Sequence, residues 1–173
     1  MSLDDLHVRY LHARYLDVQA FVFREARLLD DREWDEWLAC YHEDAVFWMP
    51  AWDDEDRLTE DPHSEISLIY YPNRQGLEDR VYRIKTERSG ATSIPEPRVT
   101  HQISNLEILA EDAGQLHLRF NWHNLSHRYH ETHSFFGTSF YILDVSGDKP
   151  LIREKKVVLN NDYIHQVIDI YHI

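Results

Sequence analysis

The sequence has one cysteine and few glycines or prolines, and each shortage excludes a class of protein. Cys40 is alone among 173 residues, so the chain by itself forms no internal disulfide, four-cysteine zinc site or iron–sulfur cluster. With only 5 glycines and 6 prolines against 13% aromatic residues, the chain is not a disordered one. Its length instead predicts one domain over residues 1–173 with a substantial core.

Positive charge is scarce as well, since 18 lysines and arginines face 31 aspartates and glutamates, for a net charge of −13. This balance, without any basic block, excludes nucleic acid as a partner. No apolar run approaches the roughly 18 residues that a membrane span needs. The first residues also lack the apolar core of a secretory signal. Together with the lone cysteine, these features predict a cytoplasmic location.

Helical spacing of apolar residues marks the first part of the chain. It predicts a helix over residues 17–29 and a short second helix that runs from Trp34 to Tyr41. Asp31 is expected to cap the second helix, and Cys40 to be a buried, unreactive thiol on it. Residues 77–88 predict a third helix with one apolar stripe.

Strand-like alternation marks the second part of the chain. A strand is expected over residues 45–50, whereas residues 64–72 fit either a strand or a buried helical turn. Four long alternating runs fill residues 98–160 and predict an antiparallel meander. Helices followed by a curved antiparallel sheet indicate an α+β fold. The apolar last stretch, residues 162–173, is expected to dock on another surface.

Four histidines have a spacing that metal ligands can show, namely His123, His127, His130 and His133. On a strand, His123 and His127 share one face, whereas a turn expected near Glu131 interrupts the series. Spacing alone is a weak pattern, so solvated or hydrogen-bonded histidines are the default interpretation. The sequence therefore predicts no metal site here and keeps one as an alternative.

A pocket at the open mouth of the curved sheet is a second alternative. Asp44, Tyr70, His101 and His123 are its candidates, because a histidine beside a carboxylate can abstract a proton. Such a chain would be a stand-alone lyase or isomerase that uses His101 or His123 with Asp44. Without the chemistry, the same pocket would bind an apolar acid. The competing expectation is an interior packed solid by tryptophans and phenylalanines.

Several long blocks of the sequence, in order, resemble one known family. They are FVFREARLLDDREWDEWLACYHEDAVFWMPAWDD, SEISLIYY, GLEDRVYRIKTERS, RVTHQISNLEI, FGTSFYILD and EKKVVLNNDYI. From about Val18 to Ile173 the chain resembles the small (beta) subunits of aromatic-ring-hydroxylating Rieske non-heme iron dioxygenases. It is most similar to the branch of benzoate, halobenzoate and anthranilate 1,2-dioxygenases.

The resemblance implies a cone-shaped α+β fold like nuclear transport factor 2 and scytalone dehydratase, with N-terminal helices packed on a strongly curved antiparallel or mixed sheet. It separates an extension over residues 1–16 from a cone domain over residues 17–173. Large and small subunits are expected to alternate, commonly as an α3β3 hexamer with beta–beta contacts. The Rieske [2Fe–2S] cluster and mononuclear Fe(II) are expected in the large subunit, with electrons from NADH through a separate reductase.

The resemblance therefore predicts a non-catalytic structural subunit of a terminal oxygenase in aromatic degradation. The whole enzyme would cis-dihydroxylate a benzoate-type acid, such as benzoate, 2-halobenzoate or anthranilate. No catalytic or metal-binding residue carries over to this chain, and its expected contacts with partners are aromatic residues and arginines. The expected partner contacts are Trp48, Trp52, Tyr70, Tyr71, Arg74, Arg80, Arg83, Tyr163 and Tyr171.

Overall fold

The computed structural model describes residues 3–86, 95–164 and 167–173, with side chains described from residue 8 onward. Two helices come first, a third helix follows the second strand, and four long strands come after it. In chain order the elements are α1 (Leu3–Asp30), α2 (Trp34–Leu38), β1 (Tyr41–Pro50), β2 (Ser67–Tyr71), α3 (Gln75–Lys85), β3 (Arg98–Asp112), β4 (Gln115–Arg128), β5 (Glu131–Asp144), β6 (Leu151–Leu159) and a single-turn 3₁₀ helix (Ile170–His172). Within these ranges, no helix is long and apolar enough to cross a membrane.

The six strands form one mixed sheet in the order β2-β1-β6-β5-β4-β3. β1 and β6 run parallel, and the other neighbouring strands run antiparallel. The predicted antiparallel meander from β3 to β6 is confirmed. β3 is irregular between Ser104 and Glu107, where Asn105 has a φ of 52°. Such a bulge bends a strand and increases its twist, and asparagine tolerates this backbone conformation.

One face of the sheet carries the core. The side chains of Leu116, Leu118, Phe120 and Trp122 alternate inward along β4, and each is at most 5% exposed. α1 covers this face, and Tyr15 on α1 donates a 3.2 Å hydrogen bond to a carbonyl of β3. Each fully buried side chain of this size contributes roughly 1.5–3 kcal/mol to the free energy of folding. The large apolar and aromatic side chains expected in the interior therefore stabilise the fold.

The boundaries of the predicted helices need correction. α1 begins at Leu3, so residues 3–16 continue the same helix, because helix-forming residues extend it past the point where apolar spacing stops. α2 ends at Leu38, and Tyr41 instead opens β1 beside Ile152. Asp31 lies in the preceding turn, and the N-cap is Glu33, without a side-chain cap bond.

The remaining assignments divide between strand, helix and turn. The ambiguous stretch contains the strand β2, and the strand expected over residues 45–50 begins earlier, at Tyr41. α3 covers Gln75–Lys85, whereas residues 87–88 of the predicted third helix lie outside the described residues. Cys40 is buried as expected but lies in the turn after α2.

The C-terminal segment docks on its own chain. Ile170 and Ile173 are at most 4% exposed, and the Asn124 amide donates a 3.1 Å hydrogen bond to the His172 carbonyl. Asp169 caps the 3₁₀ turn and forms an ion pair with Arg80 of α3. Burial, with nearby cationic side chains, lowers the pKa of His172 to about 3, so its imidazole stays neutral. The apolar chain end thus closes the core of this chain.

Candidate functional site

The polar centre of the interior is a buried carboxylate, Glu25 of α1, which is 2% exposed. Its Oε1 accepts hydrogen bonds from Trp37 (2.8 Å), Tyr41 (2.7 Å) and Lys155 (3.2 Å). Its Oε2 accepts a 3.1 Å hydrogen bond from the hydroxyl of Tyr141. These donors connect α1 and α2 with β1, β5 and β6, so the cluster ties the helices to the sheet.

Electrostatics keep this cluster in one protonation state. Burial works to raise the pKa of Glu25, but the Lys155 charge and the hydrogen-bond donors outweigh it and hold that pKa below its usual value. Burial and the neighbouring carboxylate raise the pKa values of Tyr41 and Tyr141 well above the ordinary tyrosine range. Because both carboxylate oxygens are engaged and inaccessible, Glu25 is not placed to take a proton from a substrate.

The residues of the alternative acid–base pocket are not brought together. His101 on β3 does have a carboxylate partner, but it is Asp30 at the end of α1, with Nδ1 and Oδ1 2.6 Å apart. Asp44 is 82% exposed beside His42 at the start of β1, far across the sheet order from β3. His123 points to the outer face of β4, where it contacts Ser134 at 2.7 Å. The packing of α1 on β3 determines these pairings, and the spacing of residues in the sequence does not predict that packing.

Large apolar side chains are exposed where β1 and β6 end and where β2 and β5 begin. We call this surface the aromatic end and define it by Trp52, Ile66, Leu68, Phe136 and Tyr163, which are 39–77% exposed. Strand alignment brings this edge of the sheet together, because Met49 pairs with Ile69 and Leu159 with Gly137. Tryptophan, tyrosine and phenylalanine are enriched where protein surfaces meet.

Hydrogen bonds anchor the aromatic end at Trp52 and at the backbone of Phe136. The Trp52 indole donates to the Leu159 carbonyl at 2.6 Å, which joins the end of β1 to the end of β6. Asn161 accepts from the Phe136 backbone at 3.0 Å and donates to the Ser134 carbonyl at 2.9 Å. A surface that is ordered before binding loses less conformational entropy when a partner docks.

Comparison with known proteins identifies the family. The model of the ring hydroxylating beta subunit family matches residues 24–166 of the chain. The chain belongs to this family. It is 61% identical to the 2-halobenzoate 1,2-dioxygenase small subunit of Burkholderia cepacia, over 94% of this chain and 98% of that one. It is 36% identical to the anthranilate 1,2-dioxygenase small subunit of Acinetobacter baylyi, over 90% and 95% of the two chains.

Solved structures agree with this assignment. The benzoate 1,2-dioxygenase beta subunit of Burkholderia mallei superposes with a TM-score of 0.78 at 57% identity, over 91% of this chain and 96% of that one. A scytalone dehydratase-like protein of Novosphingobium aromaticivorans superposes with a TM-score of 0.67 at 13% identity, over 92% and 94%. The second likeness shows the fold alone and confirms the predicted cone. This beta subunit is a component of a ring-hydroxylating dioxygenase complex and is not its catalytic subunit.

The single thiol of this beta subunit is too few to hold a Rieske cluster. Such a cluster needs two cysteines and two histidines, and the chain has only Cys40. Burial and the charge of Glu25 raise the pKa of that thiol to about 11, which opposes the thiolate form that binds metal. Among the described residues, no group of three histidine, cysteine or acidic side chains could hold a metal ion.

Two histidines of the series, His123 and His127, form hydrogen bonds on β4. His127 and Thr132 are 2.8 Å apart on the outer face, the same face that carries His123. His130 lies in the turn between the strands, and His133 faces inward opposite Ser126. The predicted separation of the series by a turn is confirmed, and the four imidazoles do not converge.

Several residues expected to contact partners are engaged within this chain. Trp48 is 8% exposed, with its indole bonded to Ser67 at 2.9 Å, and Tyr171 is 4% exposed. Both side chains are thus covered within this chain, Trp48 beside the first residue of β2 and Tyr171 within the C-terminal turn, and their contact with a partner stays a prediction. Arg80 pairs with Asp169 of the same chain.

The other expected contacts remain on the surface to different extents. Trp52 and Tyr163 belong to the aromatic end, and Arg83 is exposed on α3. Tyr70 and Tyr71 on β2 are half-buried, as is Arg74, which is bonded to Glu78 at 2.8 Å and to the Tyr41 carbonyl at 3.0 Å. Sequence reasoning missed Phe136, although its position on the polar side of an alternating strand was a usable signal.

Proposed function

We propose that this beta subunit is a scaffold that holds neighbouring large subunits in register through its aromatic end. The observation that carries the proposal is the contrast between a buried Glu25 cluster, in which both carboxylate oxygens are bonded, and aromatic rings that stay exposed at one end of the sheet. Glu25 and Lys155 are 2% exposed, whereas Phe136 is 46% and Tyr163 is 66% exposed. Apolar rings that face solvent in a fixed arrangement gain free energy when a partner covers them.

The proposal places three beta and three large subunits in one α3β3 complex with beta–beta contacts. Closed rotational symmetry is the usual outcome when one surface binds the next subunit repeatedly. The Rieske cluster, the mononuclear iron and the substrate belong to the large subunit, and a separate reductase supplies electrons from NADH. The lack of a second cysteine supports this division and is compatible with a cytoplasmic location.

A benzoate-type acid without an amino group is the proposed substrate of the complex. The relative named for 2-halobenzoate is 61% identical, and the solved beta subunit named for benzoate is 57% identical. The relative named for anthranilate is only 36% identical. This difference supports benzoate or a ring-substituted benzoate as the acid that the assembled enzyme converts to a cis-diol carboxylate.

The proposal is tested by assembly of the 20.8 kDa chain with its large subunit. Phe136→Ala combined with Tyr163→Ala removes two exposed rings of the aromatic end. We expect at least a tenfold loss of affinity for the large subunit in native mass spectrometry, since interface rings often contribute more than about 1 kcal/mol each. NADH-dependent ring dihydroxylation is expected to fall with the loss of assembly.

Tyr82→Ala is the matched control, because Tyr82 is 61% exposed but lies on α3, away from the aromatic end. Both variants are expected to change the melting temperature of the free chain by only a few degrees, because the removed side chains are 46–66% exposed. If the double variant assembled and turned over like the parent, the aromatic end would not be the contact. If the chain alone turned over a ring acid, the scaffold function itself would be wrong.

A further inference from the structure

An open groove of about 360 Å³ lies between the start of β3 and the turn that joins β4 to β5. We call it the cationic groove and define it by Arg98, His127, Arg128, Tyr129 and His130. Tyr129 is 61% exposed, and Arg98, His127 and His130 are exposed as well. These side chains are therefore within reach of a molecule outside the chain.

The charged residues of the groove leave positive charge available. Glu96, which completes the lining together with Pro95, is already paired with Arg32. The Arg98 side chain forms no hydrogen bond or ion pair within the part of the chain that the structure describes. The groove is thus a local site for negative charge on a chain whose net charge is −13.

The turn that forms one wall of the groove is strained. Tyr129 and His130 have φ angles of 52° and 68°, a conformation for which a two-residue turn favours Asn-Gly. Both side chains are exposed, so packing in the core does not explain why large residues stand there. The Arg128 guanidinium holds the tyrosine, since it lies 4.7 Å from the ring centre and donates to the hydroxyl at 3.2 Å. Strained backbone that presents ordered side chains is typical of a binding surface.

The same chain carries a surface of the opposite charge. Residues 53–61, between β1 and β2, contain six acidic side chains and one arginine, and we call them the acidic loop. Asp53 holds the loop in shape, because it accepts the Arg57 backbone N–H at 2.9 Å and pairs with the Arg57 guanidinium at 3.1 Å. Asp54 and Asp56 are exposed and form no ion pair within the described residues. These two carboxylates are available to a cation outside the chain.

The two surfaces lie at the same end of the sheet but at opposite edges. The acidic loop precedes β2 and the groove borders β3, and these are the two edge strands. One chain can therefore contact two different neighbours. A groove with exposed walls encloses too little of a small molecule to bind it well, whereas it suits a loop of another protein.

We propose that the cationic groove binds the acidic loop of a second copy of this chain. Because the rest of the surface is acidic and repels other copies, this juxtaposition of opposite charges selects the orientation in which two copies meet. A contact between two different surfaces of one chain can close into a ring. The inference rests on the beta–beta contacts of the proposed complex and names the residues that form them.

Sedimentation velocity of the full chain measures self-association without the large subunit. Arg98→Glu and Asp54→Lys should each weaken it about tenfold, because each places like charges together. The two substitutions combined in one chain should restore it, because the charges are then exchanged. Arg83→Glu and Asp148→Lys make the same charge changes at exposed positions elsewhere and should leave self-association unchanged.

The turn provides a second test that does not depend on charge reversal. Tyr129→Asn combined with His130→Gly relieves the backbone strain but removes two side chains from the groove. This variant should raise the melting temperature and still weaken self-association several-fold. A turn with a purely structural role would show the first effect without the second.

Three results would overturn the proposal. The parent chain could stay monomeric at its highest soluble concentration. Self-association could survive Arg98→Glu, or the combined charge exchange could fail to restore it. Arg98→Glu could instead weaken binding of the large subunit in native mass spectrometry, which would identify that subunit as the occupant of the groove. The scaffold function is tested separately, because Phe136→Ala with Tyr163→Ala is measured by affinity for the large subunit.

Discussion

At the scale of single residues, the buried pair of Glu25 and Lys155 makes the stability of the fold sensitive to substitution. Both side chains are nearly inaccessible, and the lysine ammonium also faces the rings of Phe47 and Tyr141 at 5.5 and 5.4 Å. Removing charges from water is costly, and only their mutual attraction and the surrounding donors offset that cost. The pair therefore holds the interior closed in a specific arrangement that tolerates little change.

Glu25→Gln should destabilise the folded chain by about 3–5 kcal/mol, because it leaves the Lys155 ammonium buried without a counter-charge. Urea denaturation at one fixed protein concentration measures this loss. Combining Glu25→Gln with Lys155→Met should cost less than the sum of the two single substitutions, because the double variant contains no unpaired charge. Strictly additive losses would show that the two side chains do not act as a pair.

Sequence patterns predicted which residues are apolar and inward but not which surfaces other segments cover. Phe120 and Trp122 followed from the alternation of β4. Trp48 was expected to contact a partner, yet its side chain is 8% exposed and its indole donates to Ser67 at the start of β2. The alternative pocket paired His101 with Asp44, but the carboxylate beside His101 is Asp30, which lies 71 positions away in the chain. Contacts of that range depend on how the elements pack, and no local periodicity encodes them.

At the scale of elements, the helices and the meander were predictable and the position of β1 was not. Alternation identifies β3 to β6 because each has one buried face and neighbours that are adjacent in the chain. β1 pairs in parallel with β6, more than one hundred positions later, which alternation along β1 cannot reveal. The aromatic end depends on this pairing, because it brings the ends of β1 and β6 together.

The β4–β5 hairpin contains strain that substitution can relieve. Its two turn residues, Tyr129 and His130, have φ angles of 52° and 68°, where residues with a Cβ lose roughly 1–2 kcal/mol each. Asn-Gly is the pair that such a two-residue turn favours. Replacing Tyr129 with Asn and His130 with Gly should raise the free energy of unfolding by about 1–2 kcal/mol in urea denaturation. A lower value would mean that the present side chains stabilise the turn through their contacts.

At the scale of the whole molecule, this beta subunit combines a closed cone with one ordered apolar surface. The Glu25 cluster and the C-terminal turn fill the interior from two sides. What remains available to a partner lies outside, at the aromatic end and on exposed charged side chains such as Arg83. Folding and assembly therefore depend on different residues, even where those residues share one helix.

Two arginines of α3 allow the effects on folding and on assembly to be measured separately. Arg80 is paired with Asp169, which is 2% exposed, so Arg80→Glu places two carboxylates together and should release the C-terminal turn.

Arg83 is exposed, so Arg83→Glu should leave the melting temperature of the free chain within about 1–2 °C of the parent, because exposed substitutions change stability little. If Arg83 pairs with an acidic group of the large subunit, its reversal should weaken assembly several-fold, most strongly at low salt. Thermal unfolding of the free chain and native mass spectrometry of the complex measure the two effects separately. Assembly that tolerates Arg83→Glu at every salt concentration would assign the contact to the aromatic end alone. If the C-terminal turn stays docked in Arg80→Glu, the apolar packing of Ile170 and Ile173 is enough to close the cone.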